Sequence, residues 1–186
     1  MGTHSLSARK QKKPRGSRVR HQAGVRDVLN SLRRIVRSLR VASRTAEQRV
    51  GLSGAQLFVL QCLGRDSPCS VNELAARTAT DQSSVSVVVS RLVARGHVRR
   101  TPSKLDRRRV ELTLTKSGRV LLEAAPEAAQ DRLLLALTQL PKTDLMALSR
   151  ILGKVVEMAE VANETPSLFF EDAPVLVRAK GPVRHA

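Results

Sequence analysis

Small hydrogen-bonding side chains are concentrated between residues 82 and 90. The candidate contact positions in this segment are Gln82, Ser83, Ser84, Ser86, Val87 and Ser90. Hydroxyl and amide groups both donate and accept hydrogen bonds, and short side chains let a helix come close to base edges in the major groove of DNA. A helix surface that faces only solvent would more often carry Glu and Lys. The composition of this segment therefore predicts contact with DNA bases.

A second candidate group is the basic segment at residues 102–108. It contains Lys104, Asp106, Arg107 and Arg108. A narrow minor groove has an enhanced negative potential and attracts inserted arginine side chains. The same residues could form an ordinary solvated turn, but their position after the serine-rich segment favours contact with DNA.

Two short helices separated by a turn position the serine-rich segment. Ser70 and Glu73 have the spacing of a capping box, which predicts the start of the first helix, with Leu74 as its core anchor. We expect the Asp81 carboxylate to cap the second helix by accepting backbone amides. A buried stripe at helical spacing along this second helix is formed by Val85, Val88, Val89 and Leu92.

The basic segment is expected at the tip of a β-hairpin. Residues 97–101 and 109–115 have the composition of strands, and apolar residues at 110, 112 and 114 alternate with polar ones, as in a half-buried strand. Gly96 ends the preceding helix. The two helices and the hairpin together predict a winged helix-turn-helix over about residues 52–116.

Long helices flank this unit. Apolar residues at helical spacing predict helices over about 25–49, 116–140 and 142–163, with a kink at Pro126, and the whole forms one domain over 25–163. Antiparallel packing within one chain would cover their apolar stripes. Packing between two chains is the alternative we favour, because a dimer places two recognition helices about 34–36 Å apart on a palindromic site.

The two ends of the chain are expected to lie outside this domain. Residues 1–24 are basic and poor in large apolar groups, which predicts a disordered arm. Residues 164–186 contain three prolines, which predicts an irregular tail. The predicted fold class is therefore mainly α with a small β-wing: a winged helix-turn-helix plus long N- and C-terminal dimerisation helices.

The net charge of +17 at neutral pH favours a polyanionic partner. The positive charge lies on the first two thirds of the chain, whereas residues 117–163 are nearly balanced. Aromatic residues make up only 2% of the chain, too few for the stacking platforms that bind single-stranded nucleic acid. Charge alone also fits a protein that coats DNA without sequence preference.

Other classes of function are not indicated. No apolar stretch is long enough to span a membrane, and no apolar run follows the basic N-terminus, so we expect a cytoplasmic protein that associates with the nucleoid when bound to DNA. No Gly-rich phosphate loop, activated nucleophile or carboxylate pair is recognisable. The four histidines, His4, His21, His97 and His185, lack metal-ligand spacing. We therefore expect no enzyme activity, no metal and no cofactor.

The two cysteines, Cys62 and Cys69, do not indicate a disulfide framework. The dipole of the helix that starts at Ser70 could lower the pKa of the Cys69 thiol and make it sensitive to oxidants. Inert burial of both thiols is the interpretation we favour.

From about residue 27 to residue 162 the sequence resembles the MarR family of bacterial transcription regulators. GLSGAQLFVLQCLG is similar to the family's second helix, and VNELAARTATDQSSVSVVVSRLVARGHVRR is similar to its helix-turn-helix. LDRRRVELTLTKSG is similar to its wing signature, the most specific of the three. Two positions depart from the family pattern. Val87 replaces an Arg or polar residue, which favours a thymine methyl over guanine, and Ala79 replaces a frequent Gly, which indicates an unstrained turn.

The resemblance implies a homodimeric DNA-binding regulator. Its first helix and last two helices would form the dimer interface, its recognition helix would enter the major groove, and Arg107 or Arg108 would reach the adjacent minor groove. Asp106 would hold the hairpin through local hydrogen bonds and a pair with a neighbouring arginine. Many relatives release DNA when a small organic anion binds between the dimer helices and the winged unit. The arginines that could attract such an anion, or simply form a solvated face, are Arg37, Arg40 and Arg44.

The sequence thus predicts a homodimeric, sequence-specific regulator of transcription, a repressor, that binds a palindromic operator in double-stranded DNA and responds to a small organic anion. Two alternatives remain open. One is a non-specific architectural DNA-binding protein. The other is a winged helix that binds proteins and no longer binds DNA.

Overall fold

The fold is mainly helical with one small sheet. The computed structural model describes residues 15–103, 106, 108–163 and 167–171, with side chains from residue 20 onward. The helices are α1 (Arg15–Val50), α2 (Gly54–Arg65), α3 (Val71–Thr78), α4 (Gln82–Ala94), α5 (Lys116–Ala124), α6 (Ala129–Thr138) and α7 (Lys142–Met158). The strands β1 (Val98–Pro102) and β2 (Val110–Leu114) pair antiparallel. The predicted fold class is confirmed. No helix in the described part of the chain is long and apolar enough to cross a membrane.

The chain divides into two units, Met1–Arg37 and Ser38–Ala186. The described part of the first unit is the first portion of α1. This helix begins at Arg15, so the prediction of a disordered arm over 1–24 is wrong for its last ten residues. The large apolar side chains of this portion are 40–59% exposed: Val25, Val28, Leu29, Leu32, Ile35 and Val36.

The core of the second unit is built around α2. Ser53 starts this helix with a capping box: its hydroxyl accepts the Gln56 amide, and the Gln56 side chain accepts the Ser53 amide. α3, α4, α5, α6 and β2 all pack against α2. The helix is therefore buried nearly all round, and its largest fully buried side chains are Leu57, Phe58, Leu60 and Leu63.

The helix-turn-helix consists of α3, a tight turn and α4. The Ser70–Glu73 capping box and the burial of Leu74 are confirmed. The turn closes through hydrogen bonds from the Ala79 and Thr80 amides to carbonyls of α3, which puts Ala79 in the left-handed region at φ 49°. The prediction of an unstrained turn is therefore wrong, because a residue with a Cβ is disfavoured in this conformation.

The inner face of α4 matches the prediction, but its cap does not. The valines at 85, 88 and 89 and Leu92 are fully buried. Asp81 occupies the N-cap position, yet its side chain makes no capping hydrogen bond, so the predicted carboxylate cap is wrong.

The wing is a five-residue strand pair with Val98 opposite Leu114 and Arg100 opposite Leu112. Leu112 and Leu114 are buried, whereas Val110 near the tip is 48% exposed. Thr115 caps α5 by accepting the Gly118 amide. A Cβ at Gly118 would overlap the carbonyl oxygen of His97, so a glycine is required where α5 starts against the wing.

The predicted single helix over 116–140 is instead two helices, α5 and α6. Pro126 lies in the four-residue break, where backbone hydrogen bonding is interrupted. Gln61 of α2 bridges the break: its Nε2 donates to the Pro126 carbonyl at 2.8 Å, and its Oε1 accepts the Ala128 amide at 2.9 Å. A distant side chain thus replaces part of the helical bonding that proline removes.

The last helix, α7, ends at Met158, earlier than the predicted residue 163, and has no buried residue. The described part of the predicted irregular tail, residues 167–171, has neither helix nor strand. It nevertheless packs on the core: Leu168 is 4% exposed, and Gln130 of α6 donates from Nε2 to the Phe169 carbonyl at 2.9 Å.

Candidate nucleic-acid interface

One face of α4 forms a shallow, open surface whose side chains are small and uncharged except for one arginine. It is lined by Ser83, Ser86, Val87, Ser90, Arg91 and Ala94. Val87 is 46% exposed in the middle of this face. Gln82 is also exposed, at the first position of the helix. We call this surface the α4 outer face.

Ser84 does not belong to the α4 outer face. It is 7% exposed, so the prediction that it contacts bases is wrong. Ser84 precedes Val88 by one helical turn, and residues four apart lie on the same side of a helix. It therefore shares the inner face with the buried valines.

The hydroxyl of Ser90 is already engaged. It donates to the Ser86 carbonyl at 2.8 Å and accepts a hydrogen bond from Arg100 Nη2 at 2.9 Å. Arg100 lies on β1 and is exposed, and the sequence analysis missed it. Sequence spacing could not have found this contact, because it depends on how the wing folds against α4.

Arg91 is a second arginine that the sequence analysis missed. It follows Val87 by one helical turn, so helical spacing alone could have placed it on the same face. Its Nη1 is buried and has no hydrogen-bond partner in the structure. This nitrogen is therefore an unsatisfied donor inside the fold, and not a group that an external ligand reaches.

Asp106 organises the tip of the wing. Its carboxylate Oδ1 accepts the Arg108 amide at 3.0 Å, and its carbonyl accepts the Arg109 amide at 2.9 Å. The predicted local hydrogen bonds are therefore present, although no arginine side chain among the described residues pairs with its carboxylate. Arg108 is exposed beside it. Lys104 and Arg107, the other two predicted wing contacts, lie outside the described residues.

The described surface of α4 and the wing carries positive charge without internal neutralisation. The salt bridges in the described part of the chain are Arg65–Asp131 and Arg77–Asp66, both away from these elements. Arg100 and Arg108, which are exposed, therefore present their charge to an external anion. Exposed cations next to small polar side chains are what a duplex requires, since phosphates attract the former and base edges the latter.

Comparisons with known proteins agree with this geometry. The MarR family model matches residues 50–109, from the end of α1 to the wing. The transcriptional repressor NicR of Pseudomonas putida is 37% identical over 57% of this chain and 68% of its own length. The transcriptional regulator BilQ of Clostridium symbiosum is 31% identical over 59% of this chain and 78% of its own.

The chain belongs to the MarR family. A crystal structure of a MarR family transcription regulator has the same fold, with a TM-score of 0.51 and 16% identity over 80% of this chain and 99% of that one. As a member, the chain is a DNA-binding winged-helix regulator of transcription and not an enzyme. Its α4 is the second helix of the helix-turn-helix.

This MarR family chain also contains a cavity of about 570 Å³ beside the start of α4. It is bounded by the turn between α3 and α4, by leucines of α6 and by the segment 167–169. The polar residues in its wall are Thr78, Thr80, Asp81, Gln130 and Ser167, and none of the described residues that line it is basic.

Both thiols of the chain are buried. Burial raises the pKa of Cys62 to about 11, and it also raises the pKa of Cys69. The predicted helix-dipole effect on Cys69 is outweighed by the loss of water around its sulfur. Both cysteines are thus protonated at neutral pH, as expected for apolar core residues. Within the described residues, no cluster of three or more His, Cys, Asp or Glu could hold a metal ion.

Proposed function

We propose that the protein is a homodimeric repressor that binds a palindromic operator in double-stranded DNA. The observation that carries the proposal is the α4 outer face, a row of small polar side chains flanked by unneutralised arginines. In this arrangement α4 enters the major groove, where Ser83, Ser86 and Val87 meet base edges and a thymine methyl. Gln82 contacts the groove from the first turn of α4, and the wing arginines Arg107 and Arg108 reach the adjacent minor groove.

The apolar surface of α7 supports the homodimer. None of its residues is buried within the chain, although large apolar side chains recur along it. Those between 38% and 86% exposed are Leu145, Met146, Ile151, Leu152, Val155, Val156 and Met158. Exposed apolar patches of this kind mark interfaces. A second copy is the partner that a two-fold DNA site requires.

The dimer can be tested with a charged substitution on α7. Leu152→Glu should shift the protein from dimer to monomer in sedimentation equilibrium and weaken operator binding, because each half-site is then bound independently. Lys154→Glu, a charge change on the same helix away from the apolar side chains, serves as the control. A dimer that withstands Leu152→Glu would contradict an interface on α7.

The cavity behind α4 supports regulation by a small molecule. Its volume lies in the range of small-ligand sites, and its wall includes the turn that sets the start of α4. An occupant that moves this turn changes the angle of the recognition helix. The Asp81 carboxylate and the lack of a basic lining residue favour a neutral ligand over the anion predicted from the sequence.

A matched pair of probes separates these two ligand classes. 2-Naphthamide and 2-naphthoate have nearly the same shape and differ in charge. We expect the neutral amide to raise the melting temperature and weaken operator binding at lower concentration than the carboxylate. A stronger effect of the carboxylate would contradict a neutral-ligand site in this cavity.

Operator preference is the decisive test of the whole proposal. Sites should be mapped by genomic footprinting, and affinity for the best site compared with random DNA while salt is raised. A specific regulator keeps a preference of about 10³-fold or more, whereas a non-specific architectural protein shows a ratio near one. The charge of +17 makes the second outcome a real alternative. A winged helix that binds only proteins would bind neither the best mapped site nor random DNA.

A further inference from the structure

The guanidinium of Arg100 is held against the recognition helix but is not neutralised. Arg100 lies in the middle of β1, opposite Leu112, and is exposed. A guanidinium has five N–H donors, and the bond from Nη2 to Ser90 Oγ at 2.9 Å uses one of them. No carboxylate among the described residues forms a salt bridge with it. Arg100 is therefore a pre-positioned cation whose remaining N–H groups can donate to a further acceptor.

Ser90 fixes the position of this cation. Its hydroxyl hydrogen is directed to the Ser86 carbonyl within α4, at 2.8 Å, so its lone pairs are turned toward Arg100. Because the Ser90 hydroxyl donates its only hydrogen within the helix, it cannot also donate a hydrogen bond to a base. Ser90 is thus placed to orient Arg100, while its base contact stays a prediction.

The location of Ser90 along α4 indicates which part of DNA Arg100 meets. Recognition helices contact base edges mainly through their N-terminal residues, and Ser90 lies in the second half of Gln82–Ala94. The groove wall near that half is the phosphate backbone, whose contacts fix register and orientation. We infer that Arg100, oriented by Ser90, binds a backbone phosphate at the edge of the major groove and sets the depth and register of α4.

This inference rests on the proposed docking of α4, and removal of the charge tests it. Arg100→Ala should weaken binding to the operator and to random DNA by the same factor, about tenfold, because a phosphate contact is independent of sequence. The slope of log affinity against log salt should fall by about 0.9 for each bound protomer. Arg100→Gln, which keeps an amide donor for Ser90, should show the same change in slope.

Arg99→Ala is the matched control. It removes the same charge from the neighbouring position of β1, and adjacent residues of a strand point to opposite faces. No hydrogen bond joins Arg99 to α4 within the described residues. We expect a smaller loss, about threefold or less, from the general field alone. Thermal melting verifies that all variants fold, as expected for exposed positions.

A double-mutant cycle tests the role of Ser90. Ser90→Ala should weaken DNA binding about threefold in the wild type and have no further effect in Arg100→Ala. An equal loss in both backgrounds would show that Ser90 acts independently and would overturn the positioning role. Relaxed discrimination between operator variants in Arg100→Ala would overturn the phosphate contact in favour of base recognition, and so would a salt slope equal to that of the wild type.

The salt slope keeps this test separate from the proposed repressor function. If the wild type does not prefer any operator, the regulator proposal fails, yet the slope on random DNA still reports whether Arg100 binds a phosphate. If the operator preference is present and Arg100→Ala behaves like Arg99→Ala, the phosphate anchor alone fails.

Discussion

Ala79→Gly should stabilise the protein. Ala79 ends α3 at φ 49° and ψ 43°, in the left-handed region that a Cβ disfavours by about 1–2 kcal/mol. Glycine removes this cost, but it also lowers the free energy of unfolding by about 0.4–1 kcal/mol, because the unfolded chain gains conformational freedom. The difference is a gain of about 0.5–1 kcal/mol. For a chain of this size, that raises the melting temperature by about 1–4 °C.

Ala76→Gly is a matched control with the opposite expected sign. Ala76 is exposed within α3, three positions earlier, and has helical geometry. The same loss of a methyl group there costs about 1 kcal/mol, because glycine has a lower helix propensity than alanine. The two variants are identical in composition, so the contrast between them isolates backbone conformation.

Thermal and urea unfolding of the two variants provide the measurement. The unfolding midpoints of the two variants should move in opposite directions. Their free energies of unfolding should differ by about 1.5–2 kcal/mol. Operator affinity of Ala79→Gly should equal that of the wild type, since the hydrogen bonds of the turn come from the backbone. Equal destabilisation by both substitutions would refute the assignment of strain to Ala79.

Three further predictions concern the core. Leu168→Ala should cost about 2–5 kcal/mol in urea unfolding because this side chain is 4% exposed, whereas Phe169→Ala, at 51% exposure, should cost much less; equal effects would contradict packing of the C-terminal segment. Gln61→Ala should lower the free energy of unfolding by about 1–3 kcal/mol, since two hydrogen bonds to the α5–α6 break are lost, and a cost under about 0.5 kcal/mol would refute that bridging role. Cys62, whose pKa is raised to about 11, should resist alkylation in native protein at pH 8 and react at the normal rate in urea. Because the pKa is higher in the folded than in the unfolded protein, stability from this thiol is complete below about pH 9 and is lost as the pH rises toward 11; rapid native alkylation would contradict its burial.

Local chemistry made several elements predictable from sequence. The capping boxes at Ser53 and Ser70 specify helix starts through contacts between residues three positions apart, and the structure shows both. The apolar stripe of α4 and the alternation around Leu112 follow from the periods of helix and strand. The wing strands also lie within one residue of their predicted bounds.

Predictions failed where the outcome depended on competition between local preferences and distant contacts. Proline at 126 indicated a kink, but Gln61 of another helix supplies hydrogen bonds that make a full break tolerable. Ser84 was assigned to DNA by its residue type, although its helical position puts it among buried valines. Ala79 adopts a disfavoured backbone conformation at the end of α3, because the turn places α4 against α2 in the core.

The sequence by itself determined the fold class, the starts of α2 to α5 and the segment proposed to contact DNA, because periodicity, capping and charge are properties of neighbouring residues. Only the tertiary structure decided how those side chains are used. It joined Arg100 of β1 to Ser90 of α4, left Arg91 Nη1 without a partner, and placed residues 167–169 in the wall of a cavity beside the start of α4. These arrangements depend on how the elements pack around α2, and no local sequence pattern encodes that packing.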